Sequence, residues 1–228
     1  SMLEQTISRV RLLAPYSRFY IVTSRSLAAV TRAHVKKYKG LTVLAEPEGK
    51  NTAPAIAWAA RQIAARDPRG IMAVLPADHR IKPEAAFIRA LRFASRLASQ
   101  ERALVTFGIK PTRPDTGYGY IERGEMLPDC SIPCFEVKSF REKPDHVTAA
   151  KFVKSGYFFW NGGIFVWKAK TILEQIEKHL PDPKALRKLA ERWAEMLKAL
   201  ERAHIGHCDL QHGNILVDSS DNLRLIDY

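Results

Sequence analysis

The chain has 228 residues, 46% of them hydrophobic and 26% charged, which suits one large or two small globular domains. Its 36 Lys and Arg against 24 Asp and Glu leave a net charge of +12, and such a surface favours phosphate-bearing small molecules. The cations are scattered and no zinc-finger spacing occurs, which excludes a nucleic-acid binder. No apolar run nears the roughly 20 residues of a membrane span, and Cys130, Cys134 and Cys208 form no disulfide framework, so a reduced, cytoplasmic chain is expected.

In chain order, Leu3–Leu13 reads as an amphipathic helix, Arg18–Thr23 as a buried strand and Ser26–Tyr38 as a second helix. Leu41–Leu44 is a short strand, and Asn51–Ala65 a helix with an Asn/Thr cap and Pro54 in its first turn. Ile71–Leu75 (strand), Pro83–Ala98 (helix) and Ala103–Gly108 (strand) follow. Then come the Glu136–Arg141 strand, the His146–Lys154 helix, the Gly163–Trp167 strand and a helix from Thr171. This alternation predicts an α/β fold, a Rossmann-like, mostly parallel sheet with helices on both faces. Pro181-Asp-Pro marks a boundary between residues 3–180 and 184–228. Beyond it a helical repeat precedes two short strands, Ile215–Val217 and Leu223–Ile226, that read as a hairpin.

In sheets of this kind ligands bind beyond the carboxyl ends of the strands, and the polar residues cluster at such points. Asp78 follows the Ile71–Leu75 strand, where its carboxylate suits Mg²⁺. Glu46, Asn51, Thr52 and Ala53 lie between a strand and a helix start, where side chains and N–H groups read a base edge or hold an anion. Gly117 and Gly119 flank Tyr118 and let backbone approach a ligand closely. Lys143 can hold a phosphate, Glu142 can accept from sugar hydroxyls, and Asn161 can donate and accept around a sugar ring. Simpler roles stand beside these: a turn for Asp78, a helix cap for Asn51 and Thr52, a Glu142–Lys143 or Glu142–Arg141 pair, and core packing for Trp160 and Phe165.

Five fragments carry a resemblance: Glu46-Pro-Glu-Gly-Lys-Asn-Thr-Ala-Pro, Leu75-Pro-Ala-Asp-His, Thr116-Gly-Tyr-Gly-Tyr-Ile, Arg141-Glu-Lys-Pro and Trp160-Asn-Gly-Gly-Ile-Phe. In this order and spacing they resemble the bacterial mannose-1-phosphate guanylyltransferases over roughly residues 3–180. The resemblance implies Mg²⁺-assisted attack of mannose 1-phosphate on the α-phosphorus of GTP, giving GDP-mannose and pyrophosphate. It assigns Asp78 to the metal, Glu46 and Asn51–Ala53 to guanine, Gly119, Glu142 and Asn161 to mannose, and Lys143 to the sugar phosphate. The family also has a central strand with a GGxGxRLxP loop that cradles the triphosphate, and a second metal-binding Asp downstream of the Asn161 region. Neither is matched here, so the expectation is an incomplete domain with impaired turnover. A tail strand, or a strand from a second copy, is expected to fill the vacant place beside Phe19–Val22 or Met72–Leu75, and unpaired edges of this kind offer a route to homo-oligomers.

Residues 184–228 carry His207-Cys-Asp-Leu-Gln-His-Gly-Asn and Leu225-Ile-Asp-Tyr, which resemble the catalytic loop of the aminoglycoside phosphotransferase and protein-kinase superfamily. That resemblance makes Asp209 the base and Asn214 and Asp227 metal ligands. No Gly-rich kinase lobe accompanies them. Three functions therefore compete: a guanylyltransferase-like protein, a non-catalytic engineered or recombined chimera, and an ATP-dependent phosphotransferase using Asp209.

Overall fold

A computed structural model describes residues 1–46, 52–100, 102–128 and 130–179, together with the backbone of 223–227. Asn51, Asp209 and Asn214 lie outside the described residues, as does the expected Ile215–Val217 strand.

Helix α1 (Met2–Val10) opens on a capping box in which the Ser1 side chain accepts from the Glu4 amide. Then come β1 (Tyr20–Ser24), α2 (Arg25–Val35), β2 (Thr42–Glu46), α3 (Thr52–Arg66), β3 (Ile71–Val74), α4 (Glu84–Gln100) and β4 (Leu104–Ile109). The remaining elements are β5 (Tyr120–Met126), β6 (Cys134–Arg141), α5 (His146–Ser155), β7 (Phe158–Lys168), α6 (Ala169–His179) and β8 (Leu223–Asp227). The periodicities locate every one of these up to α6 except β5. That strand, with Glu122, Arg123 and Glu125 in it, lacks a clean apolar pattern, and pairing on both sides makes it extended.

β1 and β2 pair in parallel as a two-stranded sheet. The other six strands are ordered β3-β7-β4-β8-β6-β5, and the ladder returns from β5 to β7. β3, β4 and β8 run the same way, each carrying its carboxyl end to the same edge, while β7 runs against β3 and β4. The period-2 geometry of strands divides the interior into two cores. Leu104, Phe165 and Trp167 face α3 and α6 on one side. Val105, Phe107, Ile164 and Val166 face α4 and the end of α1 on the other.

The tail strand corrects two expectations. β8 pairs with β4 in parallel and with β6 in antiparallel fashion, so it is neither the second arm of the expected hairpin nor a partner of β1 or β3. The physical reason is that β4 and β6 offer open edges facing one another, and a strand between them satisfies both rows of backbone groups. Among the described residues, β1 pairs only with β2 and β3 only with β7.

Candidate functional site

Three of the expected sugar residues meet at one end of adjoining strands. Tyr120 starts β5 opposite Arg141, the last residue of β6, and also opposite Trp160 in β7. Gly119 and Glu142 each stand one residue beyond that rung, and the Asn161 amide donates to the Gly119 carbonyl at 2.8 Å. Asn161 is itself paired with Gly108 near the end of β4, and Gly108 with Asp227 at the end of β8. Gly119, Glu142 and Asn161 are thus drawn together by ladder register, whereas Asp227 lies two strands across from Asn161 and at the other end of β6 from Glu142.

The bend that shapes this edge comes from the Gly162-Gly163 pair. Gly163 has φ of +62°, and a Cβ there would meet Pro76 Cγ at 3.3 Å; a Cβ at Gly162 would meet the Phe107 carbonyl oxygen at 3.2 Å. Only glycine adopts this path without strain, and it coincides with the register shift between Thr106 and Gly108. Asn161 is 7% exposed; its Oδ1 accepts from the Gly163 amide at 3.0 Å, and its Nδ2 has no partner among the described residues. A buried amide donor left open in this way is ready for an acceptor on a ligand.

The loop before β5 is built by Asp115. Its Oδ1 accepts from the Gly117 amide at 2.9 Å, its Oδ2 accepts two bonds from the Arg113 guanidinium, and its carbonyl accepts from the Tyr120 hydroxyl at 2.8 Å. The Gly117 bond, followed by the Arg113 pair, holds the Asp115 carboxyl below its ordinary range. Tyr118 and Arg113 cover Trp160, with ring centroids 5.0 Å apart and the guanidinium 5.4 Å from the indole. Trp160 and Phe165 are core residues.

Across β6, Lys143 has φ of +31°, a left-handed conformation that costs a residue with a Cβ about 1 kcal/mol or more and gathers at functional sites. Its ammonium is half exposed and stands 3.8 Å from Glu142 Oε1.

The expected nucleotide residues sit differently. Asp78 is exposed on the turn after β3. The carbonyls on either side of it are tied to α1: Thr6 Oγ1 donates to Ala77 O at 3.4 Å and Arg9 Nη2 to His79 O at 2.9 Å. Glu46 ends β2 at 8% exposure, with Oε1 unpartnered among the described residues. Burial pushes its carboxyl pKa up. Thr52 and Ala53 open α3. Among the described residues, no three His, Cys, Asp or Glu side chains cluster as metal ligands.

Sequence reasoning missed Asp115, Thr6 and Arg9. The Asp-x-Gly spacing of a side-chain-capped turn signals the first. The other two announce themselves only as polar residues three apart on the apolar face of an amphipathic helix.

The nucleotidyl transferase family model matches residues 1–209. A mannose-1-phosphate guanylyltransferase of Klebsiella pneumoniae is 41% identical over 184 residues, which are 80% of this chain and 39% of that protein. Mannose-1-phosphate guanylyltransferase RfbM of Salmonella typhimurium is 37% identical over 227 residues, 97% of this chain and 43% of that protein. The chain therefore spans about two fifths of the length of these relatives. The solved structure of mannose-1-phosphate geranyltransferase from Thermus thermophilus superposes with a TM-score of 0.79 at 29% identity, covering 99% of this chain and 63% of that one. The fold is that of the α/β nucleotide-diphospho-sugar transferases. Similarity running through Pro181–Pro183 to residue 209 and beyond gives no support to a kinase-like fusion or a chimera.

Proposed function

We propose, from the premise that the chain belongs to the nucleotidyl transferase family, that it transfers GMP from GTP to mannose 1-phosphate. A phosphate oxygen of the sugar phosphate attacks the α-phosphorus, the bond to the bridging oxygen breaks, and pyrophosphate leaves. The observation that carries this reading is the convergence of Gly119, Glu142 and Asn161 in ladder register at one sheet edge. Family members act on nucleotides and sugar phosphates, and the two curated relatives named above are mannose-1-phosphate guanylyltransferases.

In this reading Asn161 Nδ2 and the Glu142 carboxylate hold mannose hydroxyls, with the Gly119 backbone closing the site. Lys143 pairs with the sugar phosphate, and its backbone strain is repaid by fixing the ammonium at that point. The buried Glu46 carboxylate accepts from the N1–H and N2–H₂ of guanine; Asn51, Thr52 and Ala53 complete the base pocket. Adenine lacks that pair of donors, which makes Glu46 the residue that selects GTP over ATP.

The family uses a divalent metal, and Mg²⁺ suits these residues. It keeps several waters and binds through one or two carboxylates plus substrate phosphates, so the single exposed Asp78 fits without a protein cage. Asp227 ends β8 beside Gly108 of β4. When bound, the ion supplies charge to the triphosphate in the transition state. Residues 3–180 and the β8 strand act as one unit, in a cytoplasmic protein in which the β1 and β3 edges, unpaired among the described residues, pair two copies.

Calorimetry with GDP-mannose, GTP and ATP, each with Mg²⁺, tests the reading alongside a pyrophosphate-release assay. Binding of the first two and release of pyrophosphate only with mannose 1-phosphate are expected. Binding of ATP alone, abolished by Asp227→Ala, would overturn it, and so would silence from all three ligands.

A further inference from the structure

We infer that Thr6 and Arg9 of α1 are positioning residues for Asp78, pinning the backbone on both sides of it so that its carboxylate meets the divalent cation at a fixed place. The inference rests on the proposed metal role of Asp78.

α1 is an amphipathic helix whose inward face carries Ile7 and Val10, as its periodicity requires. Thr6 and Arg9 share that face at 7% and 5% exposure. A guanidinium is almost never buried unless it is paired, because desolvating the charge is costly. An apolar residue would serve packing alone at lower cost. What Arg9 adds is a bond from Nη2 to the His79 carbonyl at 2.9 Å, with the guanidinium held 6.0 Å from the centroid of the fully buried Phe87 ring. Thr6 Oγ1 adds the bond to Ala77 O at 3.4 Å.

These bonds fall where the sheet stops helping. β3 ends at Val74, and the turn that follows carries Asp78 beyond the ladder, with its own side chain exposed. Without Thr6 and Arg9, two peptide planes next to Asp78 would lose their anchors to α1. A carboxylate reached through a wandering turn binds metal more weakly, and loss of such supporting groups elsewhere weakens metal binding by about 10- to 100-fold.

The test uses the full chain and Mn²⁺·GTP as probe, reading the ternary complex by water-proton relaxation enhancement, with circular dichroism and a thermal midpoint recorded in parallel. Asp78→Asn is expected to abolish the enhancement. Arg9→Met, which keeps the stem over Phe87 and removes the donors, is expected to weaken the complex about tenfold or more. Arg9→Lys should recover part of that loss, and Thr6→Val should cost about threefold. Folded Arg9→Met and Thr6→Val proteins that bind Mn²⁺·GTP like the parent, while Asp78→Asn does not, would overturn the inference and leave the Asp78 reading intact. If Asp78→Asn also binds like the parent, the Asp78 reading fails and the inference with it. Should Arg9→Met not fold, Thr6→Val decides: unchanged affinity refutes the pinning. A purely structural role would lower the thermal midpoint and leave the affinity of the folded protein where it was.

Discussion

The two halves of the candidate site are built by opposite means. The sugar half, Gly119, Glu142 and Asn161, is framed by the rungs of β5, β6 and β7 and by a glycine bend that admits no side chain. The nucleotide half, Glu46 and Asp78, stands on strand ends and turns, with Asp78 braced from a helix about seventy residues away in sequence. Ladder-framed groups are held in place before a ligand arrives, whereas turn-borne groups depend on a few long-range bonds. Substitutions should therefore cost ligand affinity in the first half with little change of backbone, and in the second should change metal affinity, base selectivity or stability through the turns and strand ends that carry the groups.

The largest effect is expected at Asn161. Asn161→Ala removes a buried donor that the proposed reading assigns to the sugar, and should weaken GDP-mannose about 10- to 100-fold, corresponding to roughly 1–3 kcal/mol. Calorimetry checks it, and a loss below threefold would mean that ladder framing does not serve sugar binding. Next comes Gly163→Val, which places a branched side chain at φ of +62° against Pro76. It should destabilise the fold by about 2 kcal/mol or more, seen in urea unfolding; an unchanged midpoint would show that the bend is not needed.

Glu46→Gln sharpens the contrast from the other half. Burial raises the folded-state pKa of Glu46 above its ordinary value of 4.5. Ionising Glu46 thus costs more in the folded chain than in the unfolded one, so its stability contribution is complete below the unfolded pKa and lost as pH rises through the folded one. Glu46→Gln should raise the thermal midpoint at pH 7, and the advantage over the parent should close near pH 4. The same variant should narrow the preference for GTP over ATP. The smallest effect belongs to Asp115→Ala, which frees the Gly117 amide. Its amide exchange should quicken and GDP-mannose affinity should fall by only a few-fold, because the rungs of β5 remain.

Much of this could be read along the chain. Apolar spacing identified α1 to α6 and most strands, since a helix or strand buries one face and the pattern of that face is local. The fragments around Asp78, Glu142-Lys143 and Asn161 stood out because together they carry the family resemblance that the comparisons support. β5 was not legible, as its polar residues take strand geometry only from neighbours on both sides. Arg9 gave no readable signal for its bond, because its partner, the His79 carbonyl, lies 70 residues away in sequence.

What the sequence determined alone, then, was the family and most of the helices and strands, whose patterns are set by interactions within a few residues. The tertiary structure decided the pairing of β8 with β4 and β6, the meeting of Gly119, Glu142 and Asn161, and the hold of α1 on the turn around Asp78. Each of these joins residues far apart along the chain. Such contacts are selected by the requirement that buried backbone and charged groups all find partners, a condition that only the assembled fold can satisfy.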